Sequence, residues 1–254
     1  MSGRLEGRIA LVTGGTRGIG EAIAGALASA GARVVVVSRR EDGVRAAVAR
    51  LEAQAPGMVT GRPYHVGKVD QADALLDAIE ADVGRVDILV NNAGTNPYFG
   101  PMLGTSWAAW DKTFEVNLKG PFALARAVCE RLLSAGEPGA VINLSSILGQ
   151  QASPGQGVYG MTKAALISMT KTMAIELGSR GIRVNAIAPG VVDTRLAAAI
   201  TSDPKLRRLV TERTALGRVA GPDEIAGLAV YLASDEASYV TGQTFFVDGG
   251  YTIA

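Results

Sequence analysis

Arg8-Ile9-Ala10-Leu11-Val12-Thr13-Gly14-Gly15-Thr16-Arg17-Gly18-Ile19-Gly20 is the stretch whose reading decides the fold. Its unbroken apolar run, Ile9 to Val12, suits a strand covered on both faces, as in a parallel sheet. The glycines that follow, spaced Gly14-x-x-x-Gly18-x-Gly20, suit a tight turn opening into an alanine-rich helix, Glu21–Ser29. A helix N-terminus at that point offers free N–H groups and partial positive charge, which is what a phosphate needs. The spacing is not the dinucleotide fingerprint G-x-G-x-x-G, so the turn by itself is also open to a purely structural reading.

Outward from this segment the pattern repeats. Strands are expected at Arg8–Thr13, Arg33–Val37, Arg62–Val66, Asp87–Val90, Ala140–Leu144, Arg183–Ile187 and Thr244–Val247. Helices are expected between them, at Glu21–Ser29, Gly43–Ala53, Asp70–Val83, Trp107–Ser134, Val158–Leu177 and Pro222–Ala233. Strand and helix alternating in this way imply right-handed crossovers and a doubly wound parallel sheet of about seven strands. With no linker or repeat, residues 1–254 read as one α/β domain.

Composition narrows the function. A net charge of +1, with both signs interspersed, gives no reason to expect nucleic acid or an anionic membrane as partner. Cys129 is the single cysteine, so no intrachain disulfide forms, and it reads as a small buried hydrophobe rather than a reactive thiol. No apolar run is long enough to span a bilayer, and Met1 to Arg8 lacks the apolar core of a signal peptide. A cytoplasmic protein that needs no metal is the expectation.

The second expected strand ends Val36-Val37-Ser38-Arg39-Arg40. A dinucleotide fold that holds a ribose 2′-OH places an acid near here. Ser38 stands there instead, so a 2′-phosphate would meet no repulsion and Arg39 with Arg17 could clamp it. The plainer reading is two solvated arginines at a strand end; NADP(H) is favoured over NAD(H).

Tyr159 and Lys163 fall at i and i+4 of a helical run, on one face, with Ser146 thirteen residues upstream. An ammonium beside a phenol favours the phenolate, and the expectation is a phenol pKa drawn down toward neutrality. Such a group exchanges protons with a carbinol or carbonyl oxygen.

Thr13-Gly14-x-x-x-Gly18-x-Gly20, Asn91-Asn92-Ala93-Gly94, Asn117, Ser146, Tyr159-x-x-x-Lys163, Pro189-Gly190 and Val247-Asp248-Gly249-Gly250 together resemble the short-chain dehydrogenase/reductase family, in its compact form of one Rossmann domain. The likeness runs from about Arg8 to Gly250. His65-Val66-Gly67-Lys68 and Asn96-Pro97-Tyr98-Phe99-Gly100 look like its NADP(H)-dependent carbonyl and retinal reductases. The C-terminal third also looks like 3-oxoacyl carrier-protein reductases and sugar dehydrogenases.

The resemblance implies hydride transfer between NADP(H) and a carbonyl or secondary alcohol. Tyr159 would be the general acid, Lys163 would lower its pKa and hold the nicotinamide ribose, Ser146 would bond the carbonyl oxygen, and Asn117 would anchor a proton-relay water. Ser145 reads as a turn hydroxyl and Asn91 as a tie between strands. Gly14, Thr16, Arg17, Gly18, Ile19 and Gly20 would cradle the pyrophosphate, with Ser38 and Arg39 at the adenosine ribose. Asn92, Ala93 and Gly94 would line the ribose side of the cleft. Pro189, Gly190, Val192 and Thr194 would hold the nicotinamide carboxamide. His65 replaces an acid usual in relatives, which leaves adenine to a ring nitrogen or ring face and to the backbone of Val66.

A substrate mouth is expected from Thr95–Gly104 and a lid at 194–213. Pro97, Tyr98, Phe99, Pro101, Met102, Leu196, Ile200 and Leu209 would give it an apolar lining, with Tyr98 and Leu196 touching the substrate. The same side chains could instead pack the lid against the body. Glu137, where carrier-protein reductases often carry a base, disfavours an acyl-carrier substrate, although Arg180 keeps that option open. The alternatives are an NAD(H)-dependent alcohol or sugar dehydrogenase of the same family and a non-catalytic NADP-binding protein. The latter type usually lacks the Tyr or Lys. Enoyl reductases separate that pair by more residues, and the length leaves no room for the added substrate region of epimerases and dehydratases. The family also implies a homotetramer, through faces on Trp107–Ser134, Val158–Leu177 and the C-terminal strand.

Overall fold

The computed structural model describes residues 3–254; Met1 and Ser2, the head of the stretch read for a signal peptide, lie outside them. Strand β1 (Ile9–Thr13) shows why the chain forms layers. Ala10 and Val12 enter one apolar core, and Leu11 enters another on the opposite face. In β2 (Arg33–Ser38), Val34 and Val36 join the first core while Val35 and Val37 join the second. Both faces of the sheet are therefore buried, as an unbroken apolar strand requires.

Five more strands complete the sheet: β3 (Val59–Pro63), β4 (Ile88–Asn91), β5 (Gly139–Leu144), β6 (Ile182–Pro189) and β7 (Thr244–Val247). Their order is β3-β2-β1-β4-β5-β6-β7, and every pairing is parallel. The helices are α1 (Gly18–Ser29), α2 (Glu41–Glu52), α3 (Ala72–Asp82), α4 (Trp107–Phe114), α5 (Gly120–Ala135), α6 (Gly157–Leu177), α7 (Ala198–Thr201), α8 (Pro204–Arg213) and α9 (Asp223–Ala233). On α1 the buried residues Gly20, Ile23, Ala24, Leu27 and Ala28 form one stripe at helical spacing, which packs on the sheet and α9. Helices α3, α5 and α6 contribute to the core on the other face. This is a single Rossmann-type domain, and none of its described helices is long and apolar enough to cross a membrane.

Strand order reverses between β1 and β4, so a crevice opens at their C-terminal ends, where such sheets bind ligands. Thr13 and Asn92 fix its shape. The Thr13 hydroxyl accepts from the Asn92 and Ala93 N–H groups, both at 3.0 Å, and Asn92 Nδ2 donates to Thr13 O at 2.9 Å and Gly14 O at 3.2 Å. Deeper in the sheet, Asn91 Nδ2 donates to Asn143 Oδ1 at 3.0 Å, and Asn143 Nδ2 donates to Thr170 Oγ1 at 2.9 Å. That buried chain ties β4 to β5 and α6, at a net gain of about 1 kcal/mol per bond. Asn91 is thus a tie between strands.

Three expectations are corrected. The third strand is Val59–Pro63, not Arg62–Val66. It is an edge strand whose start is set by Glu52, whose carboxylate accepts from the N–H groups of Gly57 and Val59, and the chain already turns at His65, where Lys68 N–H bonds back to its carbonyl. The helix expected over Trp107–Ser134 is interrupted by a π-helical stretch, Glu115–Lys119, just before Gly120-Pro121. Proline supplies no N–H there, and a Cβ on Gly120 would stand 2.5 Å from the Val66 carbonyl oxygen, so the wider turn accommodates a close crossing. The segment after β6 holds two short helices, α7 and α8, where only a lid was expected.

Candidate active site

The strand edges bring the expected residues together. Gly14 to Gly20 follow β1, Ser38 and Arg39 close β2, and His65 and Val66 follow β3. Asn92 to Gly94 follow β4, Ser145 and Ser146 follow β5, and Gly190 to Thr194 follow β6. A cavity of about 200 Å³ opens there. Ile19, Asn92, Gly94, Ser146, Tyr159, Lys163, Pro189, Gly190, Val192, Thr194 and Leu196 all line it.

The glycine turn has the geometry of an anion cradle. Arg17, in the N-cap position of α1, makes no side-chain cap bond, so the first N–H groups of the helix stay free. A Cβ on Gly20 would stand 2.3 Å from Asn92 Nδ2 and 2.4 Å from Gly14 O, so the turn closes only with glycine. Gly14 N–H donates to Val37 O at 2.8 Å, which places Ser38 and Arg39 beside the same turn. Arg40 pairs with Asp42, whereas Arg17 and Arg39 have no ion-pair partner among the described residues. Both guanidinium groups are exposed at this edge.

The two serines after β5 play different parts. Ser145 donates to Lys163 O at 2.9 Å and anchors α6. Ser146 caps a short turn by accepting from Leu148 N–H, and its hydroxyl stands near enough to the Tyr159 phenol to draw the phenol pKa down. Lys163 is buried, donates from Nζ to Leu144 O at 2.6 Å, and lies 5.5 Å from the Tyr159 ring centroid. Asn117, in the π-helical stretch, accepts from Thr95 N–H at 2.8 Å and donates to Thr95 O and Thr162 Oγ1. A Cβ on Gly94 would lie 3.7 Å from Asn117 Oδ1 and 3.8 Å from Lys163 Nζ, so both face one point.

The phenol does not titrate as expected. Burial pushes Tyr159 up to about 12, and the Ser146 hydroxyl only partly opposes it. Lys163 Nζ stands over the ring and directs a proton at Leu144 O, and burial is the larger influence on the uncharged phenol. Burial also lowers Lys163 to about 8, which still leaves it a cation at neutral pH.

A buried lysine of this kind makes stability depend on pH. The unfolded chain keeps the proton up to about 10.5 and the folded chain only up to about 8, so between these values the unfolded state binds more protons and stability rises with pH. Against a Lys163→Met variant, the wild type is expected to gain about 3 kcal/mol between pH 7 and pH 10.5. Urea unfolding of both proteins across that range measures it, and a constant gap would contradict the assignment.

Two expected contacts are revised. Tyr98 does not line the cavity; its hydroxyl donates to Pro101 O at 3.1 Å and its ring lies against Gly100 and Gly104. Leu209 is exposed, and the α7–α8 segment meets the cavity through Leu196, Ile200 and Val210 instead. His65 is already engaged: Nδ1 accepts from Gly67 N–H at 2.9 Å and Nε2 lies 3.1 Å from Lys112 Nζ. Burial and then Lys112 hold its pKa below the usual value, so the ring is neutral and its face is what it offers a ligand. Burial raises the Cys129 thiol to about 12, in keeping with an inert core residue.

Sequence reasoning did not single out Ser153, Gln156 or Tyr251, and named Asn96 only within the Thr95–Gly104 mouth; all four line the cavity. Gln156 carried a usable signal, since it precedes Tyr159 by three and Lys163 by seven residues on one helical face. Tyr251 is set by the turn in which Asp248 accepts from Gly250 N–H and from Thr252, an arrangement hidden from the sequence.

Such a fold, with the geometry of an anion cradle above a Tyr–Lys helix, defines an α/β protein of the dinucleotide-binding class. Comparison with known proteins is more specific. A family model described as "Enoyl-(Acyl carrier protein) reductase" matches residues 14–252. The chain is 41% identical over 246 residues to "Dehydrogenase/reductase SDR family member 4" of Homo sapiens, covering 97% of this chain and 88% of that protein. It is 40% identical over 253 residues to "D-threitol dehydrogenase" of Mycolicibacterium smegmatis, covering 98% and 95%. A gluconate 5-dehydrogenase from Burkholderia cenocepacia J2315, solved in complex with NADP and tartrate, superposes with a TM-score of 0.94 at 37% identity, covering 99% of this chain and 97% of that one. The chain belongs to the short-chain dehydrogenase/reductase family, and is an oxidoreductase of that family.

Proposed function

We propose that this protein interconverts a carbonyl compound and its secondary alcohol with NADP(H), using Tyr159 as the acid and base. The observation that carries this reading is the placement of Ser146, Tyr159 and Lys163 in one cavity with the strand-edge residues Asn92, Gly94 and Pro189 to Thr194. The free N–H groups of α1 fit a pyrophosphate, and Ser38 with the unpaired Arg17 and Arg39 fits a 2′-phosphate better than a 2′-hydroxyl. The bound NADP of the Burkholderia relative supports that preference.

When bound, NADPH supplies a hydride, two electrons and one proton, to the carbonyl carbon. As the C=O π pair moves onto oxygen, Tyr159 would give its proton to that oxygen, leaving a carbinol and a phenolate. Ser146 holds that oxygen, and Lys163 stabilises the phenolate until the solvent reprotonates it. Asn117 holds Thr95 and Thr162 around the path to Lys163. The α7–α8 segment acts as a lid whose Leu196, Ile200 and Val210 exclude water from the reacting centre.

A panel of ketones, aldehydes, sugars and acyl thioesters with NADPH or NADH tests this reading, read by loss of cofactor absorbance. Turnover of a ketone or aldehyde, faster with NADPH, is expected; equal kcat/KM for the two cofactors would reject the NADP preference.

A further inference from the structure

The cavity lining is of two kinds. Ile147, Leu196, Ile200 and Val210 are apolar. Asn96 and Gln156 are not: Asn96 Nδ2 donates to Gln156 Oε1 at 3.3 Å, and both residues line the space shared with Ser146 and Tyr159.

Neither carboxamide serves the fold in the usual way. Gln156 occupies the N-cap position of α6 without making a cap bond, so its side chain reaches across to the loop after β4 instead. Asn96 makes no other side-chain hydrogen bond among the described residues. One long bond leaves Asn96 Oδ1, the second Asn96 N–H and both Gln156 N–H groups without a protein partner, half-buried and available to a ligand in the cavity. A ligand hydroxyl, both donor and acceptor, answers such a pair. A carboxylate fits less well, because it would face two carbonyl oxygens while, among the described residues, Lys163 is the sole cation lining the cavity.

Resting on the reading above, we propose that Asn96 and Gln156 are specificity-determining residues that bind a hydroxyl one or two carbons from the reacting carbon. The substrate class is then a short diol or polyol and the corresponding hydroxyketone. Gln156 stands one helical turn before Tyr159 on the same face, so the recognised hydroxyl lies beside the reacting oxygen. In oxidation the carbinol C–H bond breaks, its electron pair leaves with the hydrogen to NADP⁺, and the O–H proton passes to Tyr159. The second hydroxyl is unchanged.

The test compares 3-hydroxybutan-2-one and 4-hydroxybutan-2-one with butan-2-one, each reduced with NADPH by the wild type and by the volume-conserving variants Asn96→Leu and Gln156→Met. The wild type is expected to favour at least one hydroxyketone over butan-2-one by about tenfold or more in kcat/KM, because a site built for a hydroxyl leaves polar groups unpaired without it. Each variant is expected to bring that ratio close to one. A wild-type ratio near one, or a ratio unchanged in both variants, overturns the proposal while leaving the carbonyl-reductase reading intact. No consumption of NADPH with any carbonyl of the wider panel overturns both.

Discussion

Tyr159→Phe is expected to lower kcat at least about a thousandfold while leaving NADPH affinity within about threefold. The substitution keeps the ring, its half-buried position and its approach to Lys163, and removes only the hydroxyl beside Ser146. A positioned general acid contributes about 10²–10⁴ in rate. The raised phenol pKa fits the reducing direction, since a group near 12 keeps its proton at neutral pH and carries it ready for transfer. Oxidation needs the phenolate, so the wild-type alcohol reaction is the one that gains as pH rises. Initial rates, with cofactor fluorescence titration as the control for binding, measure the effect. Residual turnover above about a tenth of the wild type would remove Tyr159 from the chemistry.

Ser38→Asp should reverse the cofactor preference, lowering the NADPH to NADH ratio of kcat/KM by about a hundredfold or more. A carboxylate there accepts from a ribose 2′-hydroxyl and repels a 2′-phosphate, and making or breaking one charge-assisted hydrogen bond changes binding by about 2–3 kcal/mol. Ser38 takes part in the sheet through its backbone, whose carbonyl accepts from Tyr64 N–H at 2.8 Å, so the side chain can change without breaking the ladder. The position matters because β1 and β2 run in register, Thr13 beside Val37, which sets Ser38 and Arg39 against the glycine turn. An unchanged ratio would place the 2′-substituent elsewhere.

The sheet was legible because its central strands are buried on both faces and therefore read as unbroken apolar runs. Edge strand β3 lacked that signature. It carries Gly61 and Pro63, and its start depends on a carboxylate from α2, so its bounds were misplaced by three residues. Local pattern also could not reveal the π-helical stretch, which answers a crossing against Val66 far away in sequence. The helices α7 and α8 are short, although Asp203-Pro204, where the carboxylate caps the next turn, was a readable start signal.

In the site, spacing on one helix was enough to group Tyr159 and Lys163 on a face, which Gln156 shares. It was not enough to say how deeply they are buried, and burial is what sets both pKa shifts. The apolar mouth inferred from Tyr98 and Phe99 failed for a related reason. Tyr98 turns back on its own loop, and the neighbouring Asn96 faces the cavity in its place.

Transfer of label from NADPH deuterated at nicotinamide C4 is the most direct test of the central claim. Incubation with the best ketone of the panel, followed by mass spectrometry of the alcohol, is expected to show one deuterium on the carbinol carbon with the wild type and almost none with Tyr159→Phe over the same time. An alcohol formed without deuterium from either face of the labelled ring, or labelled equally by both proteins, would contradict the account.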